Sequence, residues 1–237
     1  VWQSLFAELN QSLGPERFVV LAVALDEPEA ARPWIEAAAP TYPCLIDREH
    51  HLASLYGLVN VPQALWIDEA GRIVRPPETA GSTDSFRAMD RKTFTVPDAV
   101  IAERNRVKSG YFEAVRDWAR RGDASPHALD AQRAAARLPQ QDAAIAEAHT
   151  RFRLGRHLLQ QGRTEEAEAL MAEAARLHPD SWAMWRQAAP KDPRGLASGA
   201  AFWARVDALG SRPYYAPVEI AGPGEQPMDR PVDPPAR

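Results

Sequence analysis

Cysteine is nearly absent: Cys44 is the single one in 237 residues. One thiol excludes an internal disulfide, a Cys-x-x-Cys redox pair and a multi-cysteine zinc site within this chain. Long apolar runs are also missing. None approaches the roughly 20 residues that a spanning helix needs, so no membrane partner is expected. Positive charge is not in excess: Lys and Arg number 28 against 32 Asp and Glu, a net charge of -4, which argues against nucleic acid as a partner. Nothing in the sequence asks for oxidising surroundings, and the expected compartment is the cytoplasm.

What is present is the composition of a folded protein, 45% hydrophobic and 25% charged, long enough for one large or two small domains. Leu5, Leu9 and Leu13 recur with Val1 at helical spacing, widened by Trp2 and Phe6, until Gly14-Pro15 stops the pattern. The apolar run 18–25 reads as a strand covered on both faces. A short helix or a broken pair running to about 39 follows, with Pro28 and Pro33 suited to first-turn positions, then a strand at 43–46, a short helix at 52–58, and strands at 63–68 and 72–75 joined by Glu69-Ala70-Gly71. This order predicts an α/β unit over 1–80 with a mainly parallel sheet and an antiparallel edge.

Residues 81–97 read as an irregular linker within a Pro-, Thr- and Ser-rich excursion that begins at Pro76. Helical patterns then occupy 98–108, 111–121, 141–160, 163–177, 180–187 and 198–209 in an all-α region, 98–212, with breaks at Gly110, Gly122, Gly162 and Pro179. The Pro-rich tail, 213–237, is expected to be extended or disordered unless Tyr214 and Tyr215 dock it. Within the helical region, 148–181 fits a 34-residue tetratricopeptide pattern through Leu154-Gly155, Leu158, Ala167, Met171, Ala174 and Pro179. Arg151 stands where such repeats often carry Trp. A lone repeat cannot bury its own face, so it is more readily a packing or self-association unit than a peptide-binding array.

The strings FVVLAVALD, YPCLIDREHHLASLYGLVNVP and ALWIDEAGRIV together resemble the redoxin branch of the thioredoxin-like fold, which includes ResA- and TlpA-like thiol-disulfide proteins and peroxiredoxin relatives. The resemblance covers about the first 80 residues. It implies that Pro62 forms a cis peptide with Val61 and that these two residues meet the substrate. The family usually has Thr after this proline, where this chain has Gln63. It also implies a central strand, ending in a cysteine motif, ahead of the first helix and between the counterparts of 18–25 and 63–68. No such strand stands in the sequence. The expectation is therefore a fragment: no catalytic residue in this chain, the nucleophilic cysteine upstream of Val1, and no activity for the chain alone.

Cys44 could be read as a peroxidatic or resolving thiol, but it falls in a strand beside Leu45-Ile46, and free cysteine is commonly a small buried hydrophobe. Glu49, His50 and His51 could be imagined as metal ligands. Adjacent side chains diverge, however, and no second cluster completes a coordination shell. Solvated helix-start residues are the simpler reading, extended to His127, His149, His157 and His178. Asp26, Asp47 and Asp68 each end a predicted strand, either as caps for the following turn or as a polar rim around a thiol.

The functional expectation is thiol-disulfide exchange or peroxide reduction, without a cofactor or metal, on a disulfide-containing protein or a peroxide. The alternative is a redox-inactive thioredoxin-like scaffold whose helical part binds a peptide or a second copy.

Overall fold

The computed structural model describes residues 2–193 and 195–220. Val1 and the tail expectation for 221–237 lie outside them. Helix α1 (Trp2–Leu13) turns Leu5, Phe6 and Leu9 into the core, as its spacing requires. Strand β1 (Ala22–Ala24) pairs in parallel with β2 (Cys44–Ile46) across helix α2 (Pro28–Ala38). After the short helix α3 (His51–Tyr56), β3 (Ala64–Ile67) pairs antiparallel with β4 (Ile73–Glu78). The four strands form two separate two-stranded sheets, β1-β2 and β3-β4. β1 and β3 are not neighbours, at the place where the resemblance puts a central strand.

Two strand expectations need correction. Only 22–24 of the 18–25 run is strand, and it is not covered on both faces: Phe18 and Val20 pack into the first core, while Val19 and Leu21 are 56% and 61% exposed. The run has one packed side, so alternate residues turn outward. β4 is longer than expected and includes Pro76-Pro77, and its register against β3 shifts between Ala64↔Glu78, Trp66↔Arg75 and Ile67↔Ile73. Two prolines without N–H groups cannot sustain a regular ladder.

Residues 84–88 form a 3-10 turn inside the expected linker, capped by the Thr83 side chain. Helix α4 (Asp98–Arg121) is continuous through Gly110, where a break was expected. Gly110 is exposed with open space around it. Its cost inside a helix is about 1 kcal/mol, which the buried Tyr111, Phe112 and Val115 offset. Those residues join Leu5, Phe6, Leu9, Trp66 and Val74 in one cluster, so α4 packs with the α/β elements although its pattern groups it with the helices that follow. The short helix α5 (Ala131–Ala136), capped by Asp130, has no counterpart in the sequence reading.

Helix α6 (Ala143–Gln160) starts on the Asp142 cap, whose carboxylate accepts the Ile145 amide at 2.8 Å. It packs on α7 (Thr164–Leu177) and α8 (Trp182–Ala188) through Ala148, Phe152, Met171, Ala174 and Met184. Leu154 of the repeat pattern faces outward, 48% exposed. Arg151, at the usual Trp position, instead pairs with Glu147 and Glu173. A third cluster joins α8, helix α9 (Ala200–Asp207) and the tail through Trp182, Val206 and Tyr214, with Phe86 and Phe202 against it.

Gly155 sets the α6-α7 spacing. A Cβ there would stand 2.8 Å from Met171 Cγ and 3.0 Å from the Ala167 carbonyl oxygen, which is backbone. Gly155→Val is expected to destabilise the chain by about 1–3 kcal/mol through overpacking, read as a lower midpoint in urea unfolding. Gly162→Ala is the control for a glycine with open space around it but a positive φ.

Candidate functional site: the Pro62 loop

The loop before β3 is shaped by its own side chains. Gln63 Oε1 accepts the amides of Val59 and Asn60 at 2.8 and 3.0 Å, and Asn60 Oδ1 accepts the Val61 amide at 2.9 Å. Gln63 thus ties the loop back on itself. The Val61-Pro62 peptide is cis, and Pro62 is exposed.

The pairing of Ala64 with Glu78 sets this loop beside the chain that leaves β4. There Gly81 comes so close to α4 that a Cβ would stand 2.9 Å from Tyr111 Cβ. Tyr111 in turn meets Trp2 edge-on at 6.4 Å and accepts the Trp66 indole N–H at 2.9 Å. Tyr111 thus bridges Trp2 of α1 and Trp66 of β3.

Val61 presents its carbonyl outward, and the tail meets it. Tyr215 Oη donates to that oxygen at 2.9 Å. Tyr214 Oη donates to Asn60 Oδ1 at 3.3 Å, and Asn60 Nδ2 donates to the Tyr214 carbonyl at 3.4 Å. Burial raises both tyrosine hydroxyls above their usual range, which keeps them protonated donors. The condition set for an ordered tail is met over 213–220: Tyr214 and Tyr215 dock it, onto the loop before β3.

Cys44 opens β2, half-buried, with its thiol 3.7 Å from the Tyr42 carbonyl. A strand position offers none of the helix-end charge that activates a thiol. Asp47 caps α3, accepting the His51 and Ala53 amides at 2.8 and 3.1 Å. Asp26 accepts the Glu27 amide at 2.9 Å. Asp68 closes the β3-β4 turn through the amides of Ala70 and Arg72 and the Arg72 guanidinium, whose bonds hold its carboxyl below the usual range, the Arg72 amide first. Asp47 and Asp68 are engaged with the turns that follow them, whereas Asp26 bonds only the next amide and the helix after it has no side-chain cap. Asp26 and Asp47 end the parallel pair, whereas Asp68 belongs to the other sheet.

The solvated reading fails for His50 and His178, which are buried, and holds only in part for the half-buried His127 and His149. Glu49 and His51 are exposed, but His50 is 2% exposed and His178 is buried. His50 takes a left-handed conformation before α3 and lays its ring against Phe152 of α6 at 4.7 Å. Beside it Arg156, also buried, pairs with Glu27, and neither His50 Nε2 nor Arg156 Nε has a partner. Here the repeat docks onto the chain ends after β1 and β2, and tertiary burial overrides the solvated helix start. Among the described residues no three His, Cys, Asp or Glu side chains gather as a metal would need.

Two family models match parts of the chain. Residues 3–75 match the AhpC/TSA family model, and this part of the chain is a redoxin domain. Residues 148–189 match the tetratricopeptide repeat. No curated protein and no solved structure matches the chain. The redoxin domain contributes β1 to β4 and the Pro62 loop, and the repeat abuts it at His50. No described helix is long and apolar enough to cross a membrane. The sequence reading missed Asn60, Arg75, Thr79 and Asp84, which hold the tail. The only signal for them was the Tyr214-Tyr215 pair.

Burial first, then the Arg156 charge, pushes His50 down to about 4, against Asp47, the Leu25 carbonyl and Asp26, which raise it. His149 is also pushed to about 4, and His127 and His178 are lowered. A base with a depressed folded value binds fewer protons folded than unfolded between its ordinary 6.5 and about 4, so stability is full above that window and falls as pH drops through it. His50 alone accounts for about 3 kcal/mol of the loss. Urea midpoints measured from pH 7 to 4 should decline, and His50→Asn, which tolerates the left-handed backbone, should flatten the decline.

Proposed function

We propose that the redoxin domain carries out thiol-disulfide exchange, or peroxide reduction, with an attacking thiol positioned ahead of α1 and with Val61 and Pro62 receiving the substrate. The observation that carries this reading is the match of residues 3–75 to the AhpC/TSA family model, with the exposed Val61-Pro62 step just ahead of β3. The division between β1 and β3 supports it, because a strand entering there would lead into α1.

A thiol at that helix start would meet unpaired backbone N–H groups and the positive end of the helix dipole, which favour its thiolate. The thiolate attacks one sulfur of a substrate disulfide. A new S–S bond forms, the old one breaks, and the second sulfur leaves as thiolate. The Val61 carbonyl, which accepts the Tyr215 hydroxyl at 2.9 Å, becomes an acceptor for a backbone N–H of an extended substrate once that hydroxyl is displaced. The repeat is fastened to the chain after β1 and β2 and to Val59, and adds a surface for protein contact.

One observation favours the redox-inactive scaffold: the chain's single thiol sits on β2, bonded to its own backbone neighbour. Insulin reduction and peroxide consumption separate the readings. The 237-residue chain should show neither activity, Cys44→Ser should change nothing, and a version extended upstream through a cysteine should be active. Inactivity of that extended, folded protein would overturn the redox reading. A loss of turnover in its Cys44→Ser variant would transfer the role to Cys44.

A further inference from the structure

Residues 213–220 form a strap that crosses the Pro62 loop and runs back along β4. The Asp84 carboxylate accepts the amides of Tyr214 and Tyr215 at 2.8 and 2.7 Å. Three side chains donate to strap carbonyls: Asn60 Nδ2 to Tyr214 at 3.4 Å, Thr79 Oγ1 to Ala216 at 3.2 Å and Arg75 to Glu219 at 3.1 Å. Tyr215 Oη covers the Val61 carbonyl. Val218 and Ile220 rest on the first core.

No backbone-to-backbone hydrogen bond joins strap and strand. Side chains before β3, on β4 and in the turn after it hold the strap through its carbonyls and amides, and the Tyr214 and Tyr215 side chains add contacts that depend on their identity. Pro213 and Pro217 restrict the segment and the residues before them to extended backbone, so little order must be imposed on it. An open cleft of about 480 Å³, with Arg104 and Lys108 on its rim, adjoins Tyr214 and Tyr215 and leaves room beside the strap.

We infer that Asn60, Val61, Arg75, Thr79 and Asp84 form a groove for an extended polypeptide, and that the strap is its intramolecular occupant, to be displaced by a matching segment of a partner protein. The partner segment has the strap's chemistry: two aromatic residues, then alternating aliphatic residues, extended by proline. The consequence for catalysis rests on the reading of Val61 and Pro62 as substrate-facing. Occupancy of the groove does not.

The test therefore measures binding and not turnover. A fluorescent peptide of sequence Pro-Tyr-Tyr-Ala-Pro-Val-Glu-Ile is titrated by anisotropy into the full chain and into Val218→Asp/Ile220→Asp, which loosens the strap and leaves the groove intact. The double variant should bind at least tenfold more tightly than the parent, and adding Thr79→Val should weaken that binding about fivefold. Equal binding to parent and variant overturns the proposal. So does absence of binding to a folded variant in which the Tyr214 and Tyr215 amides exchange faster. Where the double variant unfolds, Pro217→Gly loosens the strap by another route and is read in the same way. Peptide binding without activity in the upstream-extended protein would leave the groove standing and overturn only the redox reading.

Discussion

The Arg75 guanidinium is the contact on which the arrangement around the site depends. It is 2% exposed, bonds both oxygens of Glu78 at 2.8 and 2.7 Å, donates to the His127 and Glu219 carbonyls at 3.1 Å and lies 5.2 Å from the Trp66 ring. A buried charge is tolerable only when its donors are used, and removing a partner from such a pair typically costs about 3–5 kcal/mol. With these bonds made, one side chain joins β4, the chain after α4 and the strap. The ladder weakened by Pro76-Pro77 is held from the side, and the strap is kept over the loop that carries Pro62.

A second seam fastens the repeat to the redoxin domain. His50 against Phe152, Arg156 against Glu27, the Ala183 amide on the Val59 carbonyl and Gln187 on the Leu25 carbonyl all lie after β1 and β2 or just before the Pro62 loop. Polar groups that would otherwise face water are bonded there to the repeat. This is the side of an α/β unit where ligands usually enter, and here helices fill part of it.

Much of the fold was legible because it rests on local pattern. The α1 stripe, the short strands, the turn at Gly71, the Asp142-capped helix and the small residues between α6 and α7 follow from spacing and turn chemistry. The misses have long-range causes. Gly110 does not break α4 because Tyr111, Phe112 and Val115 are gripped by the first core, and His50 is buried because a helix about a hundred residues later covers it. Of the candidate site, Val61 and Pro62 were named through the resemblance alone. Asn60, Thr79, Asp84 and Arg75 were not, since each acts on a tail more than 100 residues away.

The sequence by itself determined the class of the protein: one thiol, an α/β segment of redoxin type, and a helical region with one tetratricopeptide pattern. Those properties depend on composition, periodicity and neighbours within a few residues. The tertiary structure decided that the Cys44 thiol faces the Tyr42 carbonyl ahead of β2, that α4 shares the redoxin core, and that the tail lies on the Pro62 loop. These outcomes turn on which distant groups exclude water from one another, and no local spacing encodes that.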